Sequence, residues 1–242
     1  MAKKAVVIPA CNEQSTLRQV VGRVPLEYAV IVVDDGSTDG TWKEIEEIRQ
    51  TSSNRELFAL RNESNLGAGN ALKKGLALAV SKEFDEIFCI DADGQHPPEK
   101  LDELSAALQE GFDCAFASRF LDKHNENGST KTPFLREWGN KFFALKTNFL
   151  FGAHYTDVLC GMRGFRREAL EKLLPQMREE RYGNALEVAC LAGMNRLKVK
   201  EIPIPQLYFS GRKHGYSIHS MLSELLATLI KTFFRNVCKR SN

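Results

Sequence analysis

No Cys-x-x-Cys pair occurs in these 242 residues, which removes the common thiol signature of metal and redox sites. The six cysteines stand singly at positions 11, 89, 114, 160, 190 and 238. Cys89 and Cys114 fall inside apolar runs, where a thiol behaves as a small hydrophobe, so reduced structural cysteines and a cytosolic setting are expected. No stretch supplies the ~18 uninterrupted apolar residues of a spanning helix. Met1-Ala2-Lys3-Lys4 runs straight into a short strand-like stretch without a signal-peptide core. An excess of charge is lacking too. The formal net charge of +2 is too small to argue for a nucleic-acid partner. The dinucleotide pattern Gly-x-Gly-x-x-Gly does not follow the first apolar run, which counts against an NAD enzyme. Lys73 and Lys74 do not stand where a Walker loop needs its lysine.

What is present is ordinary in bulk, with 43% hydrophobic and 26% charged residues, as in a soluble globular protein. Short β-branched runs at 5–8, 29–33, 57–60, 87–90 and 114–117 alternate with helical patterns near 15–24, 41–50, 68–80 and 98–109. That alternation predicts an α/β fold, with a mostly parallel sheet covered by helices on both faces. Beyond residue 120 a polar stretch at 124–132 reads as a loop. A helix at 135–150, a strand at 158–165, helices at 167–174 and 184–193 and a strand at 197–202 follow. Pro203 and Pro205 then force extended chain, and a last amphipathic helix spans 217–237.

Ligands of such sheets gather beyond the carboxyl ends of the strands. The strongest signal there is Asp91-Ala92-Asp93, directly after an apolar run. Two carboxylates two residues apart on extended backbone point to one side and can share a hard divalent cation, with Gln95 adding a neutral oxygen. A plain turn at Asp93-Gly94 before a helix explains the same letters. Asp34-Asp35-Gly36-Ser37 ends the second strand. Ser37 or Asp39 can cap the following helix, whereas two consecutive acids at a ligand edge suit a base N–H or a ribose hydroxyl. Gly67-Ala68-Gly69 admits either a phosphate or close helix packing, and packing is the stronger reading. Arg119, Arg136 and Arg212 are the cations placed to meet phosphate, against the alternative of solvated surface arginines.

Taken together, Val7-Ile8-Pro9-Ala10-Cys11-Asn12-Glu13, Val33-Asp34-Asp35-Gly36-Ser37, Asn65-Leu66-Gly67-Ala68-Gly69, Asp91 through Pro98, Ala117-Ser118-Arg119-Phe120 and Arg212-Lys213-His214-Gly215-Tyr216-Ser217 resemble, in order, the motifs of family 2 glycosyltransferases. The polyprenyl- or dolichyl-phosphate hexose synthases are the branch most similar. The resemblance covers residues 4–217 and implies a GT-A fold, Rossmann-like in its sheet. It also implies transfer, with inversion, of one hexose from a GDP- or UDP-sugar to a polyprenyl phosphate. On that resemblance Pro9, Cys11, Glu13, Val33 and Asp35 would surround base and ribose. Asp91, Ala92 and Asp93 would line the diphosphate, with Mg2+ or Mn2+ on Asp91, Asp93 and Gln95. Arg119, Arg136, Arg212 and Ser217 would hold phosphates. The chain departs from the family at Cys11, often an aromatic, and at Ile218, often a lysine.

A phosphate acceptor is already dianionic near neutral pH and needs little help from a base. A sugar hydroxyl would need one, and Glu187 is the only late acidic candidate, with a solvated helix face as its bland alternative. The Gln-x-x-Arg-Trp pattern of processive synthases is absent, and Arg136-Glu137-Trp138 does not replace it, so single-sugar transfer is expected. Two other classes stand beside this reading, a nucleotidyltransferase and a non-catalytic nucleotide-sugar-binding protein. The expected division is a catalytic domain at 1–216 and a helix at 217–242. In that helix Met221, Leu222, Leu225, Leu226, Leu229, Ile230, Phe233, Phe234 and Val237 form a wide apolar stripe ending among Lys231, Arg235, Lys239 and Arg240. Either the stripe packs on the protein's own core or it lies on a membrane. A lipid-phosphate acceptor has to be met peripherally at a cytoplasmic membrane face, through this helix or a membrane-anchored partner.

Overall fold

The structure is a computed structural model that describes residues 2–52, 54–121, 134–205, 207 and 218–240. Arg212, Lys213, His214 and Ser217 lie outside the described residues, as does the 124–132 stretch, and so do the side chains of Arg136 and Ile218.

The first half follows the alternation in the sequence. Strands β1 (Lys4–Ala10), β2 (Tyr28–Asp34), β3 (Leu57–Arg61), β4 (Glu86–Cys89) and β5 (Cys114–Ser118) are separated by α1 (Leu17–Arg23), α2 (Thr41–Thr51), α3 (Ala68–Ser81) and α4 (Leu101–Gln109). Every residue of β2 is buried, as a central parallel strand covered on both faces requires. The side-chain period of two sends Val7, Ile31 and Val33 to one face and Val6, Ile8, Val30 and Val32 to the other. The second face is covered by α1, α2 and α4.

The second half adds α5 (Phe134–Phe151), β6 (Arg163–Arg166), α6 (Arg167–Leu173), α7 (Asn184–Met194), β7 (Val199–Pro203) and α8 (Ile218–Arg240). Together with α3 these helices cover the first face. Sheet order is β3-β2-β1-β4-β6-β5-β7, and β6 alone runs against its neighbours β4 and β5. The strand expected at 158–165 is therefore confined to its last part. The physical reason is Asp157, whose Oδ1 accepts the N–H groups of Leu159 and Cys160 and curls residues 157–160 into a turn.

Because β6 is reversed, the segment entering it reaches the sheet at the edge where the other strands end. Chain order turns at β1, which has β2 on one side and β4 on the other. β1 pairs with β2 up to Ala10 and Asp34, but with β4 only up to Val7 and Cys89. The sheet opens beyond that point. Pro9, with no N–H to give, sits in the opening, where β4 needs no ladder bond from it.

α8 divides its apolar stripe. Leu225 and Leu229 are buried in the same cluster as Val7 and Val33, together with the polar Thr228, Thr232 and Asn236, while Leu222, Leu226, Ile230, Phe234 and Val237 are exposed. α5 behaves alike. It buries Phe143, Ala144 and Phe151 and exposes Trp138, Phe142, Leu145 and Phe149, the last 84% accessible. Among the described residues no helix is long and apolar enough to cross a membrane.

Candidate functional site

Four strand ends meet at the opening between β1 and β4. From β1, Asn12 adopts a left-handed conformation (φ 57°), and its Oδ1 accepts the N–H groups of Thr38 and Asp39. Its own N–H goes to Ser37 Oγ at 2.9 Å. The loops after β1 and β2 are thereby stitched into one wall. Ser37 is spent on this stitch. Asp39 is the residue that meets the start of α2, accepting the Thr41 N–H at 2.9 Å. Glu13 donates its backbone N–H to Thr41 Oγ1, and its carboxylate accepts from Thr16. The Cys11 thiol accepts from Asn65 Nδ2 at 3.1 Å, and burial pushes its pKa up.

The two consecutive acids after β2 do different things. Asp34 is fully buried, accepts from Ser37 N and lies 3.1 Å from Arg61 Nε. Asp35, 2% exposed, accepts from Asn62 Nδ2, Leu66 N and Gly67 N at 2.8–3.0 Å. It thus holds the β3–α3 loop in place. Val33 is wholly buried, and its side chain packs in the core with α3. Gly67-Ala68-Gly69 serves close packing. A Cβ on Gly67 (φ 107°) would stand 2.3 Å from the Glu180 carbonyl, and one on Gly69 2.4 Å from that of Glu179. The Asn70 N–H in the first turn of α3 already bonds Glu180 O, so the 179–180 backbone covers that helix start.

Asp91-Ala92-Asp93 begins one residue beyond β4, after Ile90. Ala92 is buried, whereas the Asp91 side chain remains 52% accessible at the opening. The protein packed around it raises its pKa to about 6, Arg119 opposes that rise and Glu13 adds to it. Those two influences show that Asp91, Arg119 and Glu13 share one electrostatic neighbourhood. Asp93 accepts from Gln95 N at 2.9 Å and Gln95 Nε2 at 2.6 Å, which binds the second acid and the neutral amide into one unit. Among the described residues no group of three His, Cys, Asp or Glu side chains forms a metal cage. Two carboxylates and an amide oxygen at an open edge fit a hard divalent cation that takes its other ligands from a bound diphosphate.

Arg119 leaves β5 and is gripped by Asp157, with Nε to Oδ2 at 2.7 Å and Nη2 to Oδ1 at 3.0 Å. Asp157 is fully buried. Its segment is pinned in turn. Glu201 of β7 accepts the N–H groups of Thr156 and Asp157, and Asn140 of α5 bonds Thr156 O and Val158 N. Gly161 then lies against Asp91, where a Cβ would come within 3.2 Å of both carboxylate oxygens. His96 is buried beneath this contact. Its Nδ1 accepts the Asp91 N–H at 3.0 Å, and its Nε2 lies 3.7 Å from Cys160 Sγ. Burial lowers its pKa to about 4, so it is neutral.

Sequence reasoning did not single out Asp157, Glu201, Asn140 or His96. The available signal was three separated polar residues, Asn140, Thr147 and Asn148, on the buried or half-buried side of α5. Glu187, the candidate base, is fully buried. Its carboxylate accepts from Arg178 N, Glu179 N and Arg235 Nη2, which ties α7 to α8. All six cysteines are unpaired.

Comparison with known proteins bears on this arrangement. The family model described as Glycosyl transferase family 2 matches residues 5–174. The UDP-N-acetylglucosamine--dolichyl-phosphate N-acetylglucosaminyltransferase of Methanococcus voltae is 30% identical over 223 residues, 86% of this chain and 88% of that protein. The polyprenol monophosphomannose synthase of Mycolicibacterium smegmatis is 32% identical over 217 residues, 88% of this chain and 79% of its own. A solved mannosyltransferase from Pyrobaculum calidifontis, in complex with GDP-Man and Mn2+, shares the fold with a TM-score of 0.60. At 16% identity it covers 99% of this chain and 75% of that one.

Proposed function

The chain belongs to glycosyl transferase family 2 and is a nucleotide-sugar-dependent transferase. From that premise we propose that it moves one hexose, with inversion, from a GDP- or UDP-sugar to a polyprenyl phosphate. The observation that carries the proposal is the open edge between β1 and β4, where the half-exposed Asp91 stands beside the Asp93–Gln95 unit and within the field of Arg119. The two relatives named for dolichyl-phosphate and polyprenol products support the acceptor class.

In this reading Asp91, Asp93 and Gln95 would hold Mg2+ or Mn2+ at the donor diphosphate, and the GDP-Man and Mn2+ of the Pyrobaculum structure support that choice. Bound there, the cation supplies Lewis-acid stabilisation of charge on the departing nucleoside diphosphate. Pro9, Cys11, Glu13 and Asp35 belong to the nucleoside side of the opening, Asp35 by holding the 62–67 loop. Arg119, oriented by Asp157, faces phosphate, and Arg136, Arg212 and Ser217 are assigned the same task from their motifs. The acceptor phosphate attacks as a dianion, so no base is required. A sugar hydroxyl would need one, and Glu187 is enclosed and engaged by three donors.

The acceptor's chain has to be met in lipid. The outward apolar residues of α5 and α8 support contact with a membrane surface, with Lys141, Lys146 and Lys231 exposed among them for anionic headgroups. We place the protein peripherally at the cytoplasmic face, with 1–216 as the transfer unit and the outward face of α8, within 217–242, as the part that meets lipid. The test is nucleoside diphosphate release across a panel of GDP- and UDP-sugars, with and without Mn2+ and with and without polyprenyl phosphate. Release that needs both additions, and that Asp93→Ala abolishes in a folded protein, is the expected result. Metal-independent release, or an unaffected Asp93→Ala, overturns the assignment.

A further inference from the structure

We infer that His96 is a positioning residue for Asp91, and that it bolts the acidic turn to the segment that orients Arg119. The inference rests on the metal-diphosphate reading of the site for its functional meaning, and on geometry alone for its structural content.

Asp91 is the second residue past β4. Ile90 still bonds back to Val7 O at 3.2 Å, but the next N–H has left the ladder. A part-buried backbone donor also needs an acceptor, and leaving it unmet is costly. His96 Nδ1 is that acceptor, reached because the Gly94-containing turn folds the chain back from Asp93 to Pro97. An imidazole that accepts at Nδ1 carries its proton on Nε2. That N–H faces Cys160 Sγ at 3.7 Å. The 3.5 Å approach of Nδ1 to the Asp91 carboxylate is therefore not an ion pair, because the ring is neutral and uses Nδ1 to accept.

The ring touches both sides of the opening. A Cβ on Gly161 would meet His96 Cε1 at 3.3 Å and the Asp91 carboxylate at 3.2 Å, so ring, glycine and acid are stacked without slack. Four residues upstream of Gly161, Asp157 grips Arg119. One imidazole thus sets the height of Asp91 relative to the arginine side of the site. Groups that orient metal ligands in this way change metal affinity by about 10–100-fold when removed.

The test compares His96→Leu, which fills the space without an acceptor, with His96→Asn, whose Oδ1 can take the Asp91 N–H, in the full chain. Hydrogen exchange at the Asp91 amide, read by NMR without any ligand, should show protection in the parent and in His96→Asn and its loss in His96→Leu. The 15N shifts of His96 should report the Nε2-protonated tautomer. Titration with Mn2+ in the presence of GDP or UDP should show about tenfold weaker Mn2+ binding for His96→Leu, most of it restored in His96→Asn. If the parent binds no Mn2+ with either nucleotide, the donor reading fails, while amide exchange still judges His96. An Asp91 amide equally protected in all three proteins overturns the inference. So does equal weakening in both variants, because the ring's bulk would then be what matters.

Discussion

Glu187 separates a structural from a chemical reading most sharply, because the sequence offers it as a base and the fold encloses it. Glu187→Ala removes the acceptor of two backbone N–H groups, Arg178 and Glu179, and the partner of Arg235. Each buried donor left unmet costs about 1–3 kcal/mol. Arg235 keeps Gln176 O and Thr232 Oγ1 and is 32% exposed, so its contribution falls at the low end. The sum is roughly 3–5 kcal/mol, a large part of the ~5–15 kcal/mol that holds a domain folded. At about 2–4 °C per kcal/mol for a chain of this size, the thermal midpoint should drop by roughly 10 °C. Glu187→Gln keeps one acceptor oxygen and should fall between. Arg235→Met combined with Glu187→Ala should lose less than the sum of the single changes, since both break one contact. Circular dichroism melts give the midpoints, and transfer rates are then compared at a temperature where every variant is folded. A Glu187→Ala protein with an unchanged midpoint and abolished transfer would refute the reasoning and return Glu187 to the chemistry.

Three further outcomes follow from the same structure. Asp35→Asn places an NH2 among the N–H donors of Asn62, Leu66 and Gly67, so it should cost about 1–3 kcal/mol and weaken GDP and UDP binding together. Melts and calorimetry check this, and unchanged affinity for both nucleotides would confine Asp35 to holding the loop. The Asp91 carboxyl is raised in the fold from 3.8 to about 6, so between those values the folded chain holds a proton that the unfolded chain has released. Stability from this group therefore falls as pH rises through that window. Metal-free Asp91→Asn should melt above the parent at pH 7, with the gap closing toward pH 4, and a gap independent of pH would contradict the assignment. Phe149→Asp and Leu226→Asp, both on outward faces, should leave the melting midpoint nearly unchanged yet abolish flotation with anionic vesicles. A chain ending at Ser217 is the poorer probe, because Leu225 and Leu229 belong to the core.

Sequence pattern made the first half of the fold legible to within a residue or two, since each of β1 to β5 is an apolar run bounded by turn residues. The placement of Asp91, Asp93 and Arg119 just past strand ends was legible as well, and that is the edge where a parallel sheet collects ligands. Pattern put a strand at 158–165 but gave neither the short extent of β6 nor its direction. A four-residue strand inserted in reverse between β4 and β5 has no periodicity of its own, and its pairing is set by partners far away in the chain. The supports of the site were hidden for the same reason. Asp157 meets Arg119 across 38 residues and Thr156 meets Glu201 across 45, and neither spacing leaves a local mark. His96 was in view throughout, but a histidine before Pro97 reads as the rim of a turn until its ring is seen to bond back to Asp91.

The reversed strand has a consequence for how the protein comes into being. β1, β2 and β3 pair with strands close by in sequence, so the β1–β2 side of the opening can form early during synthesis. The arginine side cannot, because β5 finds its outer neighbour only in β7, and Asp157 is anchored by Glu201 on that last strand. A ribosome has to deliver the chain through Pro203 before Arg119 is held opposite Asp91. Nascent chains stalled before β7 should therefore carry a formed β1–β2 wall and an unfinished Arg119 wall; under the proposed function, recognition of the donor would precede competence to release it.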